Sequence, residues 1–193
     1  MRLRISHGFT LIELLIAVAV AGIMLALAVP AMTTWLGNVA VRTNAEAISG
    51  AIQFARTEAI RLNSSVQLVM DTAGTTWTIS QVSDGSVIQQ HAAEGRADTV
   101  SIAFQPAAAR TLTFSSFGTI TDSTPITALK VDSLTLSPSQ SREMCVTISA
   151  SGGSRMCDPF RSTANLEAGG ASVVTTDPQS CQPAVPAVCV PTP

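Results

Sequence analysis

The chain has 193 residues, 46% hydrophobic, 12% charged and 4% aromatic, with no tyrosine and a formal net charge of −2. So sparse and slightly acidic a charge set excludes a generally basic, phosphate-seeking surface, although a local patch stays open. The length suffices for one globular domain in addition to a membrane segment.

A short basic leader carrying Arg2, Arg4 and His7 ends at Gly8. From Phe9 to Met32 the only charged residue is Glu13, and Leu14 to Met32 is uncharged, mostly Leu, Ile, Val and Ala. About 20 such residues at 1.5 Å rise cross a bilayer core of roughly 30 Å. The flanking arginines place the amino terminus on the cytoplasmic side. A carboxylate inside such a run costs on the order of 2.5–3.5 kcal/mol, so Glu13 is expected to have a task. An ordinary secretory signal would be cut after the apolar run, not before it. A lipoprotein signal needs a cysteine just past that run, whereas the first cysteine is Cys145.

Beyond the membrane segment, Val41, Ala45, Ile48, Ile52, Ala55, Ala59 and Leu62 recur at steps of three and four. Thr43, Glu46, Gln53 and Thr57 fall off that stripe, which predicts one amphipathic helix face packed on a sheet. A single helix from about residue 10 to residue 62 follows, ended by Asn63-Ser64. The pattern then changes to period two with β-branched residues. Strands are predicted at 66–70, 75–82, 87–90, 99–104, 111–114, 134–136 and 144–148. Turns are placed at Asp71 to Gly74 and at Asp84-Gly85, and loops around 92–98, 121–130 and 137–142.

Met144 to Ile148 and Ser154 to Cys157 form a predicted hairpin about Ser151-Gly152-Gly153. Counting inward from Cys145 and Cys157 meets at Ser151, which makes the two cross-strand neighbours. Four late cysteines beyond a membrane anchor read as two disulfides. Three connectivities are possible, and the hairpin register favours Cys145 with Cys157 and Cys181 with Cys189. The tail after Asp158 is rich in proline and glycine and is a poor source of a central strand.

The junction Gly8-Phe9-Thr10-Leu11-Ile12-Glu13 with its apolar run resembles the signal of type IV pilins and type II secretion pseudopilins. More specifically, Ala55-Arg56-Thr57-Glu58-Ala59-Ile60-Arg61, Thr113 to Ile120 and the cysteine hairpin resemble the FimT/FimU minor pilins and the secretion pseudopilin H. The resemblance implies an α+β, type IV pilin-like fold. Its long N-terminal helix, transmembrane in the first half, packs against an antiparallel β-sheet domain with a disulfide-bearing C-terminal region.

It also implies cleavage by a prepilin peptidase between Gly8 and Phe9 and N-methylation of Phe9. Glu13 then becomes the fifth residue and docks on the cationic terminus of a neighbouring subunit. Gly22 and Pro30 match places where pilin helices are weakened, and proline chemistry predicts a kink or local melting near residues 26 to 30. Residues 1–8 are then leader, 9–36 the membrane and assembly helix, 37–160 the globular domain including helix 37–62, and 161–193 the tail. Loss of Arg2 and Arg4 moves the net charge to −4.

The expected partners are other minor pilins, the major pilin, the prepilin peptidase and an inner-membrane assembly platform. The expected location is the inner membrane with a periplasmic domain, then a pilus or pseudopilus. Three functions fit: a structural minor pilin of the tip or priming complex, a type II pseudopilin H, or a DNA receptor. Some FimT-type proteins bind DNA through a Gly-Arg-x-Arg turn. Here the corresponding run is Gly152-Gly153-Ser154-Arg155, so one arginine is glycine, and only Arg155, with Arg161 beyond it, could meet phosphate. No enzyme, cofactor or metal is expected. His91 is the sole histidine after processing, and no metal-ligand spacing, nucleophile elbow or phosphate loop occurs.

Overall fold

In a computed structural model, the structure describes residues 10–92, 99–159, 181 and 186–189. One helix, α1, spans Leu11–Leu62. Thr10 caps its start: its Oγ1 accepts from the Glu13 N–H at 3.3 Å, and its carbonyl accepts from the Leu14 N–H. At the other end the Asn63 N–H reaches the Ile60 carbonyl and the Ser64 N–H the Ala59 carbonyl, with Asn63 at φ 48°. This paired closure is the one a left-handed residue permits, and asparagine tolerates that backbone better than most side chains.

The structure divides into two compact units at Leu36/Gly37. In the first, α1 is long and apolar enough to cross a membrane, and its apolar side chains are exposed, from Leu11 at 77% to Leu27 at 74%. Among the described residues nothing covers them, as suits a segment whose solvent is lipid or neighbouring helices. The helix is continuous through Gly22 and Pro30. Residues 26 to 30 are assigned to the helix throughout. Proline removes one backbone hydrogen bond, but its fixed φ is already helical.

In the second unit eight strands form two antiparallel sheets. They are β1 (Val66–Met70), β2 (Trp77–Gln81), β3 (Val87–His91), β4 (Val100–Gln105), β5 (Thr111–Phe114), β6 (Ala128–Ser133), β7 (Met144–Ile148) and β8 (Ser154–Cys157). The first sheet runs β3-β2-β1-β5 and the second β4-β6-β7-β8. Val41, Ala45, Ile48, Ile52, Ala55 and Ala59 of α1 are buried in one core with Leu68, Ile79, Leu112, Phe114, Leu129, Val131 and Val146. The alanines let the helix axis approach the strands, while Thr43, Glu46, Gln53 and Thr57 stay exposed.

One strand departs from the sequence reading. The first half of β6, Ala128 to Lys130, lies in a stretch expected to be a loop, and Leu134 to Leu136 is a loop instead of a strand. Lys130 and Asp132 make the segment look solvated. It is nevertheless flanked by β4 and β7, with Phe104↔Leu129 and Leu129↔Val146 in register. Pairing on both edges satisfies its backbone and overrides its weak local preference.

Candidate assembly site

Gly8 and Phe9, the processing junction, lie outside the described residues, as do Arg161 and most of the tail. Glu13 is described. Its backbone helps to cap α1, its side chain is exposed, and among the described residues no group pairs with its carboxylate. A carboxylate on an apolar helix is penalised unless a cation meets it.

The four cysteines form two disulfides, Cys145–Cys189 and Cys157–Cys181. This corrects the expected pairing. Cys145 and Cys157 are indeed register partners across β7 and β8, but both project onto the sheet face away from the main core, where they form a second buried cluster with Ala128, Cys181 and Cys189. Each therefore bonds a tail cysteine. The 3-10 turn Ala187–Cys189 is tied further by the Val188 N–H to Gln105 Oε1 at 3.1 Å. The proline-rich tail is thus fastened covalently at two points. The sulfurs of Cys145, Cys157 and Cys181 lie within 4.8 Å of one another, close enough for a metal, yet all are committed to disulfides.

Cys189→Ser tests this pairing. The freed thiol should be Cys145, and alkylation followed by tryptic mapping should label the peptide ending at Arg155; label in the C-terminal peptide would restore the hairpin pairing.

The same sheet face carries a polar group that the sequence did not announce. Glu143 is buried, and Lys130 Nζ donates to its Oε1 at 3.3 Å, with Asp132 at 4.0 Å from the same ammonium. Glu143 Oε2 is buried without a hydrogen-bond partner. Burial pushes the Glu143 carboxyl up, and Lys130 opposes the shift. A carboxyl whose folded pKa is raised costs stability at high pH, and the cost disappears as pH falls through that raised value. Lys130→Met leaves the carboxylate with no cation and moves the window higher. The expected loss is roughly 3 kcal/mol in urea unfolding at about pH 8, shrinking markedly by about pH 5. A loss independent of pH would show that packing, not charge, is what Lys130 supplies.

Ser154 faces α1, where its hydroxyl meets Ser49 Oγ at 3.0 Å and Gln53 Nε2 at 2.9 Å. Alternation along β8 therefore puts Arg155 on the opposite, tail-bearing face, where it is exposed. Both arginines of the helix end have structural partners. Arg61 binds Glu58 at 2.6 Å, which raises the guanidinium pKa. Arg56 Nε donates to the Gly118 carbonyl at 3.1 Å. Arg56 is the residue that sequence reasoning undervalued. The only signal was its place in the helix-end run, which looked like a solvated face. His91, expected in a loop, closes β3 and stacks on Trp77 with centroids 5.0 Å apart. Asp71, Asp84 and Asp132 each accept a nearby backbone N–H, and the Ser86 N–H and hydroxyl lower the pKa of Asp84.

The family model described as "Type II transport protein GspH" matches residues 44–152, more than half of the chain. The chain belongs to the GspH family. The model of the prokaryotic N-terminal methylation motif matches residues 3–29, which include Gly8, Phe9 and Glu13. The GspH match takes in α1 from Asn44, both sheets up to β7, and the hairpin turn to Gly152.

Among solved structures, the chain is similar to the type IV minor pilin FimU of Pseudomonas aeruginosa. Identity is 21% and the TM-score 0.45, covering 60% of this chain and 87% of that one. It is also similar to the minor pseudopilin EpsH from the type II secretion system of Vibrio cholerae. There identity is 19% and the TM-score 0.48, covering 62% of this chain and 97% of that one. No curated protein matches the sequence. As a GspH-like minor pilin or pseudopilin, the chain is of a structural kind, and its chemistry is that of assembly.

Proposed function

We propose that this GspH-family chain is a minor pilin of a type IV pilus, a structural subunit of the tip or priming complex that initiates assembly. The observation that carries this reading is the C-terminal region, fastened to the second sheet by two disulfides. A subunit at an exposed end gains from a domain that holds its shape without lateral support, and a tail clamped across a sheet provides that. The exposed Glu13 on an apolar helix, with no partner among the described residues, supports the assembly part of the reading.

In this proposal residues 1–8 are removed by the prepilin peptidase, residues 9–36 span the inner membrane, and residues 37–160 form a periplasmic domain followed by the tail. The assembly platform then moves α1 into the filament core, where Glu13 meets the amino terminus of a neighbouring major or minor pilin. No substrate is turned over and no cofactor is used.

The test is surface pilus yield in a strain lacking the gene, with a complemented control. Loss of pili restored by the gene supports priming. Normal pili with a defect in protein secretion would identify a type II pseudopilin instead. Normal pili with loss of DNA uptake alone would identify a DNA receptor.

A further inference from the structure

We infer that, before its disulfides form, the chain holds one zinc ion on Cys145, Cys157, Cys181 and Cys189, so that metal and disulfides are two clasps for the same tail. The inference stands apart from the choice between pilus, secretion and DNA uptake. Every disulfide starts as two thiols, and a newly made chain offers these four sulfurs as ligands until an oxidant reaches them.

The sheet prepares half of the site. Cys145 of β7 and Cys157 of β8 are register partners on one face, so backbone pairing sets them side by side whatever the tail does. The tail supplies the other half. Cys181 and Cys189 are buried in the same cluster beside Ala128, with Val188 packed against it. Docking of this stretch does not rest on sulfur alone, since the Val188 N–H donates to Gln105 Oε1 of β4. The ligand atoms of Cys145, Cys157 and Cys181 lie within 4.8 Å of one another, and the Cys189 sulfur is joined to that of Cys145.

Tetrahedral zinc with thiolates at about 2.3 Å sets neighbouring sulfurs about 3.8 Å apart. Sulfurs that are bonded in the oxidised chain part to that spacing. The unbonded ones among Cys145, Cys157 and Cys181 close by no more than about 1 Å, which side-chain rotation supplies. Four thiolates and no oxygen ligand suit a borderline-soft ion and refuse magnesium and calcium, and zinc has no redox chemistry that would oxidise the thiols itself. A buried site needs a way in. Before the bonds form nothing covalent holds the tail, so the ion enters as the tail docks.

Binding releases the four thiol protons. Two equivalents of a disulfide oxidant then convert the metal form into the oxidised one. Each accepts two electrons as one cysteine pair joins and leaves as two thiols; four protons are taken up in all, and Zn2+ departs. The C-terminal clasp thus does not wait for oxidation.

The experiment uses the mature full chain in detergent, reduced with a phosphine and freed of it without air. Co2+ is the spectroscopic probe, followed by Zn2+. The reduced chain should bind a single Co2+, with thiolate-to-cobalt charge transfer in the near ultraviolet and the intense red bands of tetrahedral cobalt. One equivalent of Zn2+ should erase both. Zn2+ should also raise the melting temperature of the reduced chain and leave that of the oxidised chain unchanged. Cys181→Ser and Cys189→Ser should each lower the charge-transfer intensity in proportion to the missing thiolate. No tetrahedral spectrum in the reduced chain overturns the inference. So does one ion shared by two chains, or a spectrum without thermal stabilisation, which would mean that the ion only gathers cysteines of an unfolded chain. A spectrum that either serine variant leaves unchanged would put the ion elsewhere and overturn the inference as well.

Discussion

Glu13→Ala is expected to stay in the membrane, be processed normally, and disappear from the filament fraction. The two readouts move apart for one physical reason. Alone in the bilayer the carboxylate is a cost, on the order of 2.5–3.5 kcal/mol at a helix centre and less near its end, so its removal favours insertion. Within the filament proposed above the same carboxylate faces the cationic terminus of a neighbour. Opposite charges about 4 Å apart attract by about 4 kcal/mol at an effective dielectric of about 20. Keeping half of that corresponds to about thirtyfold in occupancy. Glu13→Gln keeps the size and the hydrogen-bonding capacity but loses the charge, so it should fail nearly as badly as alanine. Filament incorporation of Glu13→Ala at the native level, measured by immunoblot of sheared pili against the cell fraction, would remove docking from its role.

Much of the architecture was legible because it rests on local periodicity. The stripe from Val41 to Ala59 is the buried face of α1, and Asn63-Ser64 closes it as expected. β1, β5, β7 and β8 fall where alternation and β-branched residues placed them. What could not be read depends on contacts between segments distant in sequence. β6 is a strand because β4 and β7 flank it. Cys145 and Cys157 were correctly placed opposite each other, but register says which residues are neighbours and not which sulfurs meet. That choice was made by the tail crossing the face on which both project. Lys130 and Glu143 carry no signal in the sequence, because no periodicity marks a pair that is buried only when β6 and the segment before β7 come together.

Arg56 belongs to the same class, and it leads to the most severe stability change expected in the domain, Gly152→Ala. Gly152 has φ 82°, a backbone that side-chain-bearing residues avoid, and a β-carbon built there would lie 2.3 Å from the Gly118 carbonyl oxygen. That oxygen accepts from Arg56 Nε, and Gly118 itself has φ 75°. Two glycine turns, one after β5 in the first sheet and one between β7 and β8 in the second, thus meet beside a single arginine of α1. A backbone hydrogen bond from the Ile120 N–H to the Ala150 carbonyl, 3.3 Å, joins the same two turns. An added methyl cannot be absorbed by a rotamer change, because its neighbour is backbone. The turns must separate, and the hydrogen bond from Arg56 is lost with them. Left-handed strain costs about 1–2 kcal/mol, and separation adds a comparable amount, for a total of roughly 3 kcal/mol or more. For a domain of this size that lowers the melting temperature by about 6–12 °C. Gly153→Ala is the control one residue along. Its built β-carbon meets only the Ser149 hydroxyl, at 3.2 Å, and its φ is not in the left-handed range, so the change should be small. Thermal melts of the mature chain in detergent compare the two. Equal melting temperatures for Gly152→Ala and Gly153→Ala would mean that the turns yield easily, and that the approach of Gly152 to Gly118 does not hold the two sheets together.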